Sequence, residues 1–265
     1  MTRLACSRHL ASCSAALIGL SGSFLLLASP ALAGDSAAGP TTAAEAVNAP
    51  LPLGSARLNI APLRLEFDAG KSAATLTVTN TSDRAVPVQT RLFAWSQESG
   101  EDRFAPSSAL TISPSIIAIP AGATQIIRLL RPGAASPGEK RFRLAVDQLP
   151  DPQSVESGTA EARLRFTLPV FLDRDTAQPA QLAWRVGVQG IEAINTGGST
   201  ARIVSLEVKT PAGQTVPVER NSLRYVQGGA AIVWPLANAC SLGAVSITAE
   251  IDGQTAHGTA SPTCG

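Results

Sequence analysis

EARLRFTLPVFLDRD, residues 161–175, sets Leu164, Phe166, Leu168 and Val170 against Arg163, Arg165, Thr167 and Pro169. One apolar and one polar side at period two is the pattern of a strand half-buried in a sheet. It stops at a polar stretch, DRDTAQPA, and the run before it, DPQSVESGT at 151–159, has no period. The same alternation recurs upstream in LNIAPLRLEF (58–67), AATLTVTN (73–80), VPVQTRLFAW (86–95), TQIIRLLR (124–131) and KRFRLAVDQL (140–149). Downstream it resumes in QLAWRVGV (181–188), ARIVSLEVKT (201–210), AAIVWPL (230–236) and GAVSITAEIDG (243–253). Turn clusters such as NTSDR, IPAG, RPGAASPGE and NTGGST separate the runs, and no helical period longer than a turn appears after residue 56.

These spacings predict an all-β protein of two immunoglobulin-like β-sandwich domains, at 57–175 and 176–265, joined at a hinge near Asp173 to Pro179. In LNIAPLRLEF the inward phase moves from Leu58 and Ile60 to Leu63, Leu65 and Phe67 across Pro62. A proline at a phase change marks an edge strand that bends or switches sheets. Asn80-Thr81-Ser82 is read as a turn, and Trp95, Trp184 and Trp234 as core or interdomain packing residues.

The first 33 residues carry Arg3 and Arg8, an apolar run from Ala15 to Ala28, and SPALA before GDS. This is the pattern of a secretory signal peptide cleaved after Ala33. LASC at 10–13 has the look of a lipidation box, but the apolar region follows it instead of preceding it. Residues 34–56, rich in Ala, Gly, Pro and Thr, read as a flexible leader. Export with no later apolar stretch long enough to span a bilayer implies no stable membrane insertion after cleavage.

The whole chain has 21 basic and 20 acidic residues. Removal of Arg3 and Arg8 leaves 19 basic residues, for a net charge near −1, which argues against nucleic acid as a partner. Cys6 and Cys13 leave with the signal peptide, so Cys240 and Cys264 are expected to pair in an oxidising compartment. The exported chain keeps a single histidine, His257, with no GxSxG, P-loop, GxGxxG or zinc-ligand spacing. Nothing here nominates an enzyme, a metal or a cofactor.

Several segments match a known family in order. APLRLEF, TLTVTN, VPVQTRLFAW, ISPSIIAIPAGATQIIRLL, KRFRLAVDQLPD and RLRFTLPVFLDR resemble the first domain of PapD-like periplasmic chaperones of the chaperone-usher pathway. FAW and LPVF look closer to the divergent branch that accompanies spore-coat-type pilins. The resemblance spans about residues 57–174 and implies a periplasmic chaperone that binds pilus subunits and delivers them to an outer-membrane usher.

In that family the chaperone lends an edge strand to a subunit lacking its last strand. The resemblance places the donor on Ala162, Leu164, Phe166 and Leu168. It also implies a basic anchor for the subunit's C-terminal carboxylate at Arg64. Where the family has a second anchor, a lysine before the hinge, this chain has Pro169, leaving Arg165 and Arg91 as candidate replacements. The contrasting reading is a secreted structural or adhesive protein with two Ig-like domains, in which RLRFTL is an ordinary core strand.

Overall fold

A computed structural model describes residues 57–150, 163–218 and 223–264. The expected signal peptide and leader, the 151–159 run and Ala162 lie outside the described residues.

Ten strands build the first sandwich: β1 (Leu58–Ala61), β2 (Leu65–Phe67), β3 (Ala73–Asn80), β4 (Val86–Glu98), β5 (Glu101–Pro106), β6 (Thr111–Ser113), β7 (Ile116–Ile119), β8 (Thr124–Leu130), β9 (Lys140–Gln148) and β10 (Arg165–Leu172). One sheet has the order β1-β3-β8-β6; the other runs β2-β10-β9-β4-β5, with β7 also on β4. Alternate residues of both sheets meet in a core that includes Leu65, Phe67, Leu76, Val78, Ile127, Leu129, Leu144, Val146 and Val170. β1 and β2 lie in different sheets, so the chain does switch sheets at Pro62, across a cis Ala61–Pro62 bond. The inward phase resumes only at Leu65. Leu63, expected to point inward, is 68% exposed because it lies in the crossing itself.

The second sandwich contains β11 (Leu182–Gly187), β12 (Gly190–Asn195), β13 (Ala201–Lys209), β14 (Thr215–Val216), β15 (Arg224–Val226), β16 (Ala231–Pro235), β17 (Val245–Ile251) and β18 (Gln254–Pro262). β14, β13, β17 and β18 form one half, with β15 also on β13, and β11, β12 and β16 form the other. A two-residue parallel pairing of β11 with β18 links the halves. Its separate core holds Val186, Ile191, Ile203, Val208, Ile232, Trp234 and Ile247. Trp184 leans on Trp234, with ring centroids 5.8 Å apart. A Cys240–Cys264 disulfide ties the end of β18 to the short 3₁₀ turn Ala239–Leu242. His257 is exposed on β18, with Nδ1 3.2 Å from the Thr248 hydroxyl.

Each sandwich closes a turn around a buried asparagine. Asn80 donates to the carbonyls of Arg84 and Ile119 while accepting from Ser82 N–H. Asn195 donates to the carbonyls of Ser199 and Val226. A side-chain amide supplies both donor and acceptor where the strand ladder ends, so buried backbone groups keep partners. NTSDR and NTGGST, expected as turns, are those two sites.

Candidate functional site: an open strand edge beside an arginine cleft

β10 pairs antiparallel with β9 along its whole length, but β2 covers its other edge only from Val170 to Leu172. Gln148 N–H donates to the Leu164 carbonyl, so even-numbered residues of β10 turn their backbone groups toward β9. Odd-numbered residues turn theirs the other way. Asp173 N–H, which donates to the Phe67 carbonyl, obeys the same parity. Arg165 and Thr167 therefore direct N–H and C=O to an edge that no strand covers among the described residues. Pro169, the next odd residue, has no N–H. A proline is compatible with an interior strand position only at this phase, where the β9 ladder loses nothing.

The side chains divide along the same strand. Leu168 is buried at 4% exposure within the sandwich's own core. It is therefore removed from the expected donor set, because its volume is already filled from within. Leu164 and Phe166 are half-buried and pack against the rim of that core, instead of standing fully in water as the edge-strand argument expected. They are the apolar residues that flank the open edge.

The two expected replacement cations are committed elsewhere. Asp147 on β9 accepts from Arg91 Nη2 at 2.7 Å and from Arg165 Nε. Burial pushes the Asp147 carboxyl up, but the hydrogen bonds and charges of Arg165 and Arg91 outweigh it and hold the group below the usual carboxylate range. Arg165 and Arg91 are brought together, though on a shared carboxylate.

Arg64 lies at the start of β2, on the face opposite Leu65 and Phe67. Its guanidinium stacks 4.6 Å from the centroid of Phe171, its Nε donates to Glu66 at 2.6 Å, and Asp252 of the second sandwich lies 3.7 Å away. Arg174, just past β10, lies over the same ring at 5.5 Å. Trp95, Phe171 and Tyr225 form a largely buried aromatic floor where the two sandwiches meet, with centroid separations of 6.1, 5.3 and 6.3 Å. On that floor Arg143 of β9 stacks 3.8 Å from the Trp95 centroid and 5.0 Å from that of Tyr225.

The cleft walls are fixed by polar bonds between the sandwiches. Glu139, whose side chain is fully buried, accepts from Arg174 at 2.5 Å, from Arg141 at 2.9 Å and from Thr200 N–H at 2.9 Å. Gln97 of β4 donates to the Tyr225 carbonyl and accepts from Gln227 N–H. Gln227 in turn donates to the Trp95 carbonyl and accepts from Arg141. Asp173, at the joint, accepts from Arg131, from Lys140 and from Ser136 N–H. Burial raises the Asp173 carboxyl, and these three donors together bring it below its ordinary value.

Sequence reasoning singled out Arg64 and the β10 strand, which the structure places beside one another at the domain joint, but not Arg143, Arg174 or the aromatic floor. One clue was legible: Arg141, Arg143 and Asp147 share the outward phase of KRFRLAVDQL, as Phe93 and Trp95 do in RLFAW. Which outward residues meet a second domain is a matter of tertiary placement.

Residues 57–177 match the family profile of the pili and flagellar-assembly chaperone, PapD N-terminal domain. The first sandwich is a PapD-like chaperone N-terminal domain. The chain's fold is shared with a chain of the CsuC–CsuE chaperone–tip adhesion subunit pre-assembly complex of Acinetobacter baumannii. That match has a TM-score of 0.59 and 19% identity, and covers 78% of this chain and 99% of the other. The E. coli chaperone DraB matches with a TM-score of 0.58 and 18% identity over 79% of this chain and 98% of its own. A chain of the Salmonella enterica SafA pilin–SafB chaperone complex matches at 0.56 and 18%, over 78% and 99%. Among curated proteins none matches. At these identities the solved structures establish the two-sandwich fold, and the family profile establishes the kind of first domain.

Proposed function

We propose that this PapD-like chaperone works in the periplasm by lending the open edge of β10 to an incomplete pilus subunit, which it holds until an outer-membrane usher receives it. The observation that carries this reading is the uncovered edge at Arg165 and Thr167, flanked by the half-buried Leu164 and Phe166. An extended guest strand placed there gains main-chain hydrogen bonds, and its apolar pockets receive the flanking side chains. Such an edge without a partner is an aggregation hazard, so its retention fits a temporary occupant. Arg64 is offered as a contact for the guest's C-terminal carboxylate, since a guanidinium fork suits two carboxylate oxygens. Arg64 is itself paired with Glu66, as Arg91 and Arg165 are with Asp147, so an arriving carboxylate competes with a resident one at each. A spore-coat-type pilin is the subunit class to try first.

The test is a Leu164→Ser/Phe166→Ser chain co-expressed with such a subunit and an Arg64→Ala chain alongside it. Half-buried residues cost a fraction of the roughly 2–5 kcal/mol lost on truncating a core leucine, so both proteins are expected to stay folded. The double variant loses the stable complex and Arg64→Ala weakens it. A folded double variant that copurifies with the subunit as well as the natural chain does would leave the two-domain structural protein as the better reading.

A further inference from the structure

The sheet that ends at the open edge of β10 carries cross-strand rows of side chains on the face opposite its core. Counted inward from that edge, they are Arg165–Asp147–Gln89, Thr167–Ala145–Arg91 and Pro169–Arg143–Phe93. These rows hold three arginines and one carboxylate. Only the first has a charge on the edge strand itself.

Asp147 competes for Arg165 with only part of its charge. Its Oδ2 accepts from Nε and Nη2 of Arg91 at 3.1 and 2.7 Å, which leaves Oδ1 for Arg165. Arg165 donates through Nε alone, and among the described residues its two terminal nitrogens have no hydrogen-bond partner. Its side chain is 63% exposed, against 43% for Arg91. Two guanidiniums on one carboxylate leave the cluster with a net charge of +1. The N–H and C=O of Arg165 face the uncovered edge. A strand laid there sets one residue directly opposite Arg165, with its side chain on this same face. Opposite charges paired in that way stabilise a sheet, and like charges destabilise it.

We infer that Arg165 selects guests by charge: the strand that β10 receives presents an aspartate or glutamate side chain opposite Arg165, extending the alternation of Arg91, Asp147 and Arg165 by one more acid. The inference rests on the strand-lending reading and adds to it a residue that discriminates among guests. A lysine or arginine at that guest position meets a cluster already in excess of positive charge and is disfavoured. Opposite Thr167 the edge strand is neutral, and Pro169 offers neither charge nor N–H, so the preference is confined to one guest position. An exposed ion pair contributes little by itself, so a free acid gains little here; the ladder bonds of a strand bring the carboxylate into place. The acid also fixes register, because a slip of two residues carries it from Arg165 to a neutral neighbour and a slip of one turns it to the core face.

The probes are three synthetic strand peptides of alternating valine and threonine, blocked at both ends, in which the central threonine is replaced by glutamate, glutamine or lysine. The natural chain is expected to bind them in that order, glutamate over lysine by roughly tenfold, the combined effect of one attractive and one repulsive cross-strand pair. High salt narrows the range, because the pair is exposed. Arg165→Gln brings the three affinities to within about twofold of one another. Arg165→Glu reverses their order, and the glutamine variant serves alone if the glutamate, with Asp147 beside it, does not fold. Arg128→Glu makes the same change of charge on β8 of the other sheet and leaves the order as it is, which separates a pair at the edge from an effect of net charge. Equal binding of the three peptides by the natural chain, or the natural order kept in the folded Arg165 variants, overturns the inference and leaves strand lending standing. If the glutamine peptide does not slow amide exchange at Arg165 and Thr167 of the natural chain, strand lending itself fails, and this inference with it.

Discussion

On β16 the residues Ala231, Val233 and Pro235 turn their backbone groups away from β12, and each is occupied or muted. Arg224 Nη1 donates to the Val233 carbonyl at 2.7 Å. The β4–β5 hairpin tip covers Ala231: a Cβ on Gly100, at φ 81°, would lie 3.6 Å from its carbonyl oxygen. Pro235 has no N–H to offer. On β10 the corresponding outward residues are Arg165, Thr167 and Pro169, and only the proline is muted. One chain thus guards one sandwich edge with an arginine, a hairpin and a proline, and among the described residues leaves another uncovered just before its domain joint. Edge protection is the general requirement for a β protein, and under the strand-lending proposal the uncovered stretch of β10 is the working surface.

The contrast sharpens along β10 itself. Leu168→Ala removes a side chain buried in the first core and is expected to cost about 2–5 kcal/mol of that domain's stability. Phe166→Ala, at the rim, is expected to cost clearly less although more atoms are removed. Denaturant unfolding of the two variants measures this, and equal losses would mean that the rim belongs to the core.

At the guarded edge the expected effect is smaller. Arg224→Ala strips the cap from Val233, a hydrogen bond from a charged donor worth about 1.5–3 kcal/mol. It also exposes a second strand edge, so the variant is expected to self-associate at concentrations where the natural chain does not. Sedimentation shows this directly, and an unaltered monomer would mean that the hairpin alone suffices as guard.

Acid gives the gentlest separation of the two domains. Asp147 and Asp173, both in or beside the first sandwich, are held below the usual carboxylate range. A depressed folded value means that the unfolded chain takes up protons first as pH falls. The stability from these groups is complete above about pH 4 and is lost as pH drops through their folded values. Thermal unfolding followed from neutral pH downward is expected to show the first domain weakening before the second, and Asp173→Asn flattening that slope. Parallel loss in both domains would contradict it.

Much of this architecture was readable before any coordinates. Period-two runs and their turn clusters located the strands, Asn80 and Asn195 marked real turns, and Pro62 marked a sheet switch. The errors have a common cause. Leu63 was assigned by alternation and Leu168 by family resemblance, and neither says whether another element covers that face or where along the strand the cover stops. Arg143 was hidden for the same reason: an outward arginine on an internal strand becomes a cleft residue only because Tyr225 and Gln227 of the second sandwich arrive over it. Arg91 and Arg165 were read as candidate replacements for a second carboxylate anchor, and alternation could not show that Asp147, on the β9 strand between them, holds both.

Thr167→Pro tests the central claim most directly. The substitution removes one N–H from the open edge, at the same phase at which Pro169 is already accommodated, and leaves the β9 ladder untouched. Unfolding of the isolated chain and its affinity for a pilus subunit are then measured together. Lending of the β10 edge predicts stability close to that of the natural chain with subunit binding weakened severalfold or lost. A folded Thr167→Pro chain that holds its subunit at undiminished affinity would contradict it.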